Sequence, residues 1–392
     1  MTTRVYLWKG AQLGSMLVLN LAIARVLGAP TSGNFLFQVS NLQLLALLAG
    51  ASVDSGIQYQ SASEPQLASG LSRFILQYST IILFPLAGLV AVALHWLRPG
   101  MDAIPFLILA SVYMAGIILF KTFSALAFGL RSAEAPILLE GAGNVLLLPL
   151  LLATPAIFYT GYYLMPVVTG VVLYAYLTRT RQLLFQQKST PDYRRLFQYT
   201  GVSFMANMAW LLVYRTDYWW VAAWCTDKEL GNYIQVSKLG QLFFYFPQLL
   251  SVLIFPDVVQ APDPRPMIKK LIGYVTAIYA ACLVLFAALG RPILHWLLGP
   301  GFEAVYPTFL LLIPGVFALG GLAILSTFFA GRNRLGVNLK GALLGLGVMV
   351  LGDWIFIPQY HIAAAALVSS AAYLTTFVYS YLNFRRAAPT TP

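Results

Sequence analysis

Apolar runs of about twenty residues recur some twelve times along this chain, and Lys and Arg collect in every second gap between them. A helix rises about 1.5 Å per residue, so roughly 20 apolar residues cross a hydrocarbon layer of about 30 Å. A chain built this way is threaded through a membrane rather than folded around one soluble core. Its composition agrees: 59% of residues are hydrophobic and 9% charged, with mean hydropathy +0.76, whereas soluble domains carry about 25% charged residues. The expected spans are 5–27, 34–53, 71–97, 103–129, 135–153, 157–178, 197–225, 231–258, 268–290, 304–330, 336–357 and 361–384. Only Ala153, Thr154 and Pro155 separate the fifth from the sixth, so a re-entrant pair and ten true spans is the alternative.

Lys and Arg in short loops stay on the cytoplasmic side, which sets the orientation. An even number of spans puts both termini on one side. That side collects Arg4, Arg73, Arg131, Arg179, Arg181, Lys188, Arg194, Arg195, Arg265, Lys269, Lys270, Arg332, Arg334, Lys340, Arg385 and Arg386, against Arg25, Arg98, Lys228 and Arg291 on the other. Both termini are therefore expected in the cytoplasm. This topology accounts for most of the net charge of +11, and no nucleic-acid partner is expected. Arg4 leads into a long apolar run without a small-residue cleavage site, which reads as a retained first helix rather than a signal peptide. Cys225 and Cys282 lie in different spans, so no disulfide framework is indicated.

Three short matches recur at nearly constant offset. Gly33-Asn34-Phe35 and Gly231-Asn232-Tyr233 open the second and eighth spans. Leu94-His95-Trp96-Leu97 recurs as Leu294-His295-Trp296-Leu297, and Arg131 ends the fourth span as Arg332 ends the tenth. In order, and near half the chain length, they favour a duplicated six-span unit. The expected fold is an all-α polytopic membrane protein: two six-helix bundles, 1–178 and 197–392, related by a pseudo-two-fold axis along the membrane normal, with a cytoplasmic linker at 179–196. Substrate is expected to pass between the bundles. The polar linker is most simply anchored to acidic headgroups, with a direct substrate role as the alternative.

No Gly-rich loop ending in Lys and Ser or Thr is present, so transport is expected to draw on a gradient or a partner. His95, His295 and His361 are far apart, none with a second ligand at helical spacing, and no metal site is expected. No outer loop exceeds about 15 residues, too little for an extracytoplasmic catalytic loop, so the chain is not expected to be an enzyme.

An ionisable group within a span costs about 2.5–3.5 kcal/mol at the helix centre and needs a partner or a wet cavity. Lys9, Lys121, Glu140, Arg215, Asp217, Lys238 and Asp353 qualify. Lys9, Gln12, Met16 and Asn20 share one face of the first span, and Ser203, Asn207, Tyr214 and Tyr218 one face of the seventh, with Arg215 at its margin. The candidate substrate-binding residues are Lys9, Lys121, Asn207, Arg215 and Lys238. The candidate ion-coupling residues, for H⁺ or Na⁺, are Asp217, Glu140 and Asp353. A cavity holding Lys9, Lys121 and Arg215 would be positive and attract an anion such as a phosphate or an acidic sugar. The competing readings are a buried Asp217–Lys238 pair that holds two helices in register, headgroup snorkelling by Lys9 and Lys121, and an interfacial carboxylate at Asp353.

Several short segments resemble the polysaccharide exporters of the multidrug, oligosaccharidyl-lipid and polysaccharide (MOP) flippase superfamily, the Wzx-type O-antigen or capsule translocases. They are Lys9-Gly10, Arg25-Val26-Leu27-Gly28 with Gly33-Asn34-Phe35, Tyr214-Arg215-Thr216-Asp217, Leu230-Gly231-Asn232-Tyr233, Phe255-Pro256, and Ile357-Pro358 before an Ala-rich last span. Arg-x-Asp followed by Leu-Gly-x-Tyr is the most specific element. His361 departs from the pattern, standing where such proteins usually have Gly. The resemblance implies two bundles around a cleft in a bacterial inner membrane, and a cargo of undecaprenyl-diphosphate-linked oligosaccharide contacted by cations such as Arg215 and Lys121. Membrane lipids, and a polysaccharide polymerase with chain-length proteins, are the implied partners. A MATE-like drug or cation antiporter of the same fold, and a non-transporting scaffold for polysaccharide enzymes, remain as alternatives.

Overall fold

The computed structural model describes residues 3–81, 103–180, 190–332 and 334–386, and among them it is helical, with no strand. In chain order the helices are α1 (Thr3–Gly50), α2 (Val53–Ser63), α3 (68–81), α4 (Ala103–Gly129), α5 (Glu134–Ala153), α6 (Pro155–Arg179), α7 (Tyr193–Trp224), α8 (Asp227–Gln260), α9 (Arg265–Leu298), α10 (Val305–Gly331) and α11 (Leu335–Arg386). Seven, namely α1, α4, α5, α6, α9, α10 and α11, are long and apolar enough to cross a bilayer. At 32 and 34 residues α7 and α8 have the length as well, and they carry the charges Arg215, Asp217 and Lys238. The chain is an integral membrane protein. Large apolar side chains such as Leu152, Val284, Leu285 and Leu351 point outward, as they do where the surrounding solvent is acyl chain. The expected third span beyond residue 81, the repeat block at 94–100 and linker residues 181–189 lie outside the described residues.

A straight 48-residue α1 would run about 72 Å, more than twice the hydrocarbon thickness. It breaks at Gly28 (φ 73°, ψ 170°), a backbone state that glycine adopts freely, and Pro30 then sits in the first turn of the resumed helix, where its missing N–H goes unmissed. The 52-residue α11 breaks at His361 (φ 55°, ψ −141°), three residues after Pro358. A non-glycine residue there carries strain of order 1–3 kcal/mol. Sequence patterning expected loops at both places, but the helix resumes at once. The second expected span, 34–53, ends instead at Gly50: Ala51 and Ser52 take positive φ (44° and 56°), and residues 53–63 form the polar helix α2, which no apolar run announced.

Two compact units emerge, Met1–Val26 with Gln38–Met208 and Leu27–Phe37 with Ala209–Pro392. In the first, Val53, Ile57, Leu71, Ile75, Phe123, Leu126, Leu173, Leu177 and Leu196 form one core from α2, α3, α4, α6 and the start of α7. Glycines set its helix spacing: a Cβ on Gly116 would lie 2.5 Å from the Val167 backbone nitrogen, and one on Gly56 2.8 Å from the Leu196 carbonyl oxygen. The start of α7 is tied to α2 by Arg195, which meets Glu64 at 3.2 Å and donates to Tyr59 at 3.0 Å, and by stacking of Tyr59 on Tyr199.

In the second unit α10 packs between α8 and α11. Pro314 removes one rung of the α10 ladder, and next to it the Ser370 hydroxyl inserts between Gly315 N–H, from which it accepts at 3.3 Å, and Leu311 C=O, to which it donates at 2.9 Å. Gly33 and Gly231, the matched residues of the sequence repeat, pack against each other: a Cβ on Gly33 would fall 2.5 Å from the Gly231 Cα.

The turn between α9 and α10 is held by Glu303, which accepts from Gly301 N–H at 2.9 Å and pairs with Lys228 at 3.2 Å. The Gly301 N–H, then its own backbone N–H and Lys228, hold this carboxyl down at about 2. Its folded-state value lies below the ordinary carboxylate range, so its contribution to stability is complete above about pH 4.5 and disappears as pH falls toward 2. Glu303→Gln is expected to remove that part of the acid dependence, measured as thermal unfolding at pH 7 against pH 3.

Candidate functional site

In the first unit, the polar face of α1 lies against α5. Gln12 is buried, a Cβ on Gly141 would meet its Cα at 3.5 Å, and Asn144 donates to Ser15 at 3.2 Å. Next to Gly141, the exposed Glu140 stands within Coulombic reach of both Lys9 and Lys121. Lys121 also lines a cavity of about 270 Å³ with Ser52, Asp54, Thr122 and Asn207, and Asn207 donates to the Ser52 hydroxyl at 3.1 Å. Lys9, Lys121 and Glu140 thus come together in one unit, with Asn207 beside Lys121.

In the second unit, Tyr214, Arg215, Asp217, Tyr233, Ser237, Gln241, Phe244, Tyr245, Ser369 and Tyr373 line a cavity of about 210 Å³. Tyr214 anchors an aromatic wall: its ring lies 6.0 Å from Phe244, 5.9 Å from Tyr373, and stacks on Trp210 at 5.7 Å. The Arg215 guanidinium sits 4.9 Å from the Tyr218 ring centre, a cation–π contact. Lys238 lies within Coulombic reach of Arg215 but is not part of the cavity lining.

Asp217 is fixed by hydrogen bonds from α8, from the second half of α11 and from its own helix. Its Oδ2 accepts from Tyr233 at 2.5 Å and from Ser369 at 3.3 Å, and its Oδ1 from the Tyr218 N–H at 2.9 Å. Asp353, from the first half of α11, is fully buried within Coulombic reach of Asp217, and neither of its oxygens has a hydrogen-bond partner. Asp353 is thus enclosed by protein rather than exposed on its surface. Asp217, Tyr233 and Ser369, drawn from α7, α8 and the second half of α11, form one buried hydrogen-bonded group, and Asp353 stands within Coulombic reach of it.

The backbone trace decides the fold family. It superposes on the lipid II flippase MurJ in an inward-closed conformation with a TM-score of 0.79 at 13% identity, over 97% of this chain and 87% of that one. It superposes on an inward-facing multidrug MATE transporter of the MOP superfamily with a TM-score of 0.71 at 12% identity, over 96% and 94%. The fold is that of MOP-superfamily transporters. A MOP transporter from Pyrococcus furiosus, described by the reversed polarity of its binding pocket, gives a TM-score of 0.65 at 15% identity over 98% and 94%. No protein-family model and no curated protein matches the sequence.

Within this MOP fold the candidate residues fall into two sets, Lys9, Lys121, Glu140 and Asn207 in the first unit and Arg215, Asp217, Lys238 and Asp353 in the second. Sequence reasoning missed Asp54, which sits in the unannounced α2, and the aromatic and hydroxyl partners Tyr233, Phe244, Ser369 and Tyr373. Asp54 and Glu140 alter the expected charge balance, since each cation of the first set has a carboxylate close by. A polar residue at every fourth position on α8 (Tyr233, Ser237, Gln241, Tyr245) was the signal that could have found its cavity face.

Proposed function

We propose that the protein moves an undecaprenyl-diphosphate-linked oligosaccharide from the cytoplasmic to the outer leaflet of a bacterial inner membrane. The single observation behind this reading is the cavity of the second unit, where Arg215 stands beside the aromatic wall of Tyr214, Phe244, Tyr245 and Tyr373. A guanidinium meets phosphate oxygens, and aromatic faces cover the C–H faces of sugars. The MOP fold, shared with a lipid II flippase, supports the same reading. Lys9, Lys121 and Asn207 supply a second polar patch for the headgroup, and twelve spans in two bundles, both termini cytoplasmic, complete the proposal. A polymerase and chain-length proteins are the proposed partners.

Asp353 and Asp217 are the proposed coupling site. A buried carboxylate without a hydrogen-bond partner is tolerated when it takes up a proton or a cation, and the surrounding Tyr233 and Ser369 oxygens are hard donors suited to H⁺ or Na⁺. Glu140, between Lys9 and Lys121, is a second candidate. The same carboxylates beside an aromatic wall favour one other reading, a cation or drug antiporter.

The test is leaflet transfer of a lipid-diphosphate oligosaccharide in vesicles containing the purified protein. Native protein is expected to transfer it, with Arg215→Ala and Lys121→Ala at least about tenfold slower at matched reconstitution, the loss of one charge-assisted contact worth roughly 1.5–3 kcal/mol. No transfer of such lipids under a proton or sodium gradient, together with gradient-driven efflux of an organic cation, would select the antiporter. Transfer unchanged in both variants would reject the assigned cations.

A further inference from the structure

Away from both cavities, where α7 passes into α8, the ligand atoms of Cys225, Glu229 and His361 all lie within 4.8 Å of one another. We propose that these three side chains form a binding site for a divalent transition metal, with Zn²⁺ the best match. The three come from separate places in the second unit: Cys225 just past the end of α7, Glu229 in the first turn of α8, and His361 at the break of α11. Thiolate, imidazole and carboxylate are the donor types Zn²⁺ takes, and three protein ligands leave a fourth position for water. Adjacent donors around a tetrahedral Zn²⁺ with bonds of about 2.0 Å stand roughly 3.3 Å apart. The imidazole Nδ1 of His361 and Oε1 of Glu229 are already 3.1 Å apart.

The surrounding structure holds these donors in place. The other oxygen of Glu229 accepts from the N–H and the hydroxyl of Thr226, at 3.0 and 2.9 Å, which fixes the carboxylate and leaves Oε1 facing His361. Such second contacts orient a ligand and raise metal affinity. His361 occupies φ 55°, ψ −141°, close to a backbone region used almost only by glycine, so an imidazole is kept here against a conformational cost. All three residues reach solvent in part, which gives a metal its entry path. On binding, the Cys225 thiol releases its proton to solvent, and the metal replaces the proton on Nδ1, leaving the ring N–H on the exposed Nε2. The bound ion would tie the α7–α8 turn to the break in α11, so that metal occupancy sets how far this hinge can move. The inference does not depend on the cargo.

The experiment is metal titration of the full chain, purified in detergent without a histidine tag and stripped with chelator. Native protein is expected to hold about one Zn²⁺ and, loaded with Co²⁺, to show a thiolate-to-cobalt charge-transfer band in the near ultraviolet. Cys225→Ser should lose the band. His361→Gly, which fits the same backbone geometry, should stay folded and bind Zn²⁺ more than about 100-fold more weakly, since loss of even an outer-shell partner costs 10–100-fold. A native chain without the band, a band that survives Cys225→Ser and so comes from Cys282, or a folded His361→Gly that binds as tightly as native would each overturn the site.

Discussion

Gly231→Ala will cost the second unit about 3 kcal/mol or more and sharply lower the amount of folded protein recovered from the membrane. The new Cβ would lie 2.0 Å from the Ala29 carbonyl oxygen and 2.7 Å from its carbonyl carbon. Both are backbone atoms, and no rotamer change moves them aside. Overpacking in a dense interior typically costs 1–3 kcal/mol when side chains can adjust, and more when backbone must shift. Gly10→Ala and Gly14→Ala in α1 meet nothing within 4 Å and serve as controls. They are expected to be neutral, or to gain up to about 1 kcal/mol because alanine loses less freedom in a helix. Thermal unfolding in detergent separates the two classes, and a Gly231→Ala protein as stable as the controls would show that the α1–α8 crossing has slack.

Asp353→Asn is expected to separate stability from transport. Neither Asp353 oxygen is hydrogen-bonded, and the nearest charge with which it interacts is another carboxylate, Asp217. Removing the charge should raise thermal stability by roughly 1–3 kcal/mol, the scale of the penalty for a buried polar group left without a partner. The same change should abolish the gradient-driven part of leaflet transfer, a loss of tenfold or more, while Arg215→Ala slows transfer with or without a gradient. A stable Asp353→Asn protein that still responds fully to proton and sodium gradients would remove Asp353 from the coupling site. A destabilised one with unchanged transfer would make it a purely structural residue.

The spans of this chain were legible because membrane insertion selects for apolar length, which a sequence displays directly. Patterning put the end of the first span at 27 and the start of the last at 361, and the breaks at Gly28 and His361 fall there. Helix α2 was invisible because Asp54, Gln58 and Gln60 interrupt it, and its stability comes from tertiary contacts such as that of Gly56 on Leu196. The charged residues were legible individually, since each is costly in hydrocarbon, but their partners were not. Asp217 was matched to Lys238 by depth alone, which left out the Tyr233 hydroxyl that donates to it. The cluster of Cys225, Glu229 and His361 could not be found by searching for ligands at helical spacing, because 132 residues of chain separate Glu229 from His361.

The course of α1 has a consequence for how such a chain can be inherited. Residues 27–37 belong to the unit otherwise made by Ala209–Pro392, while the rest of α1 belongs to the other. A recombination joint in the polar stretch around 181–189 would look harmless in the sequence. It would set a foreign α8 against Ala29 and Gly33, where glycine and backbone meet with no side chain between them to absorb a mismatch. Lineages carrying this fold would then exchange their second halves successfully only when the short 27–37 segment travels too, so that segment should share its ancestry with the distant half of the chain rather than with its own neighbours.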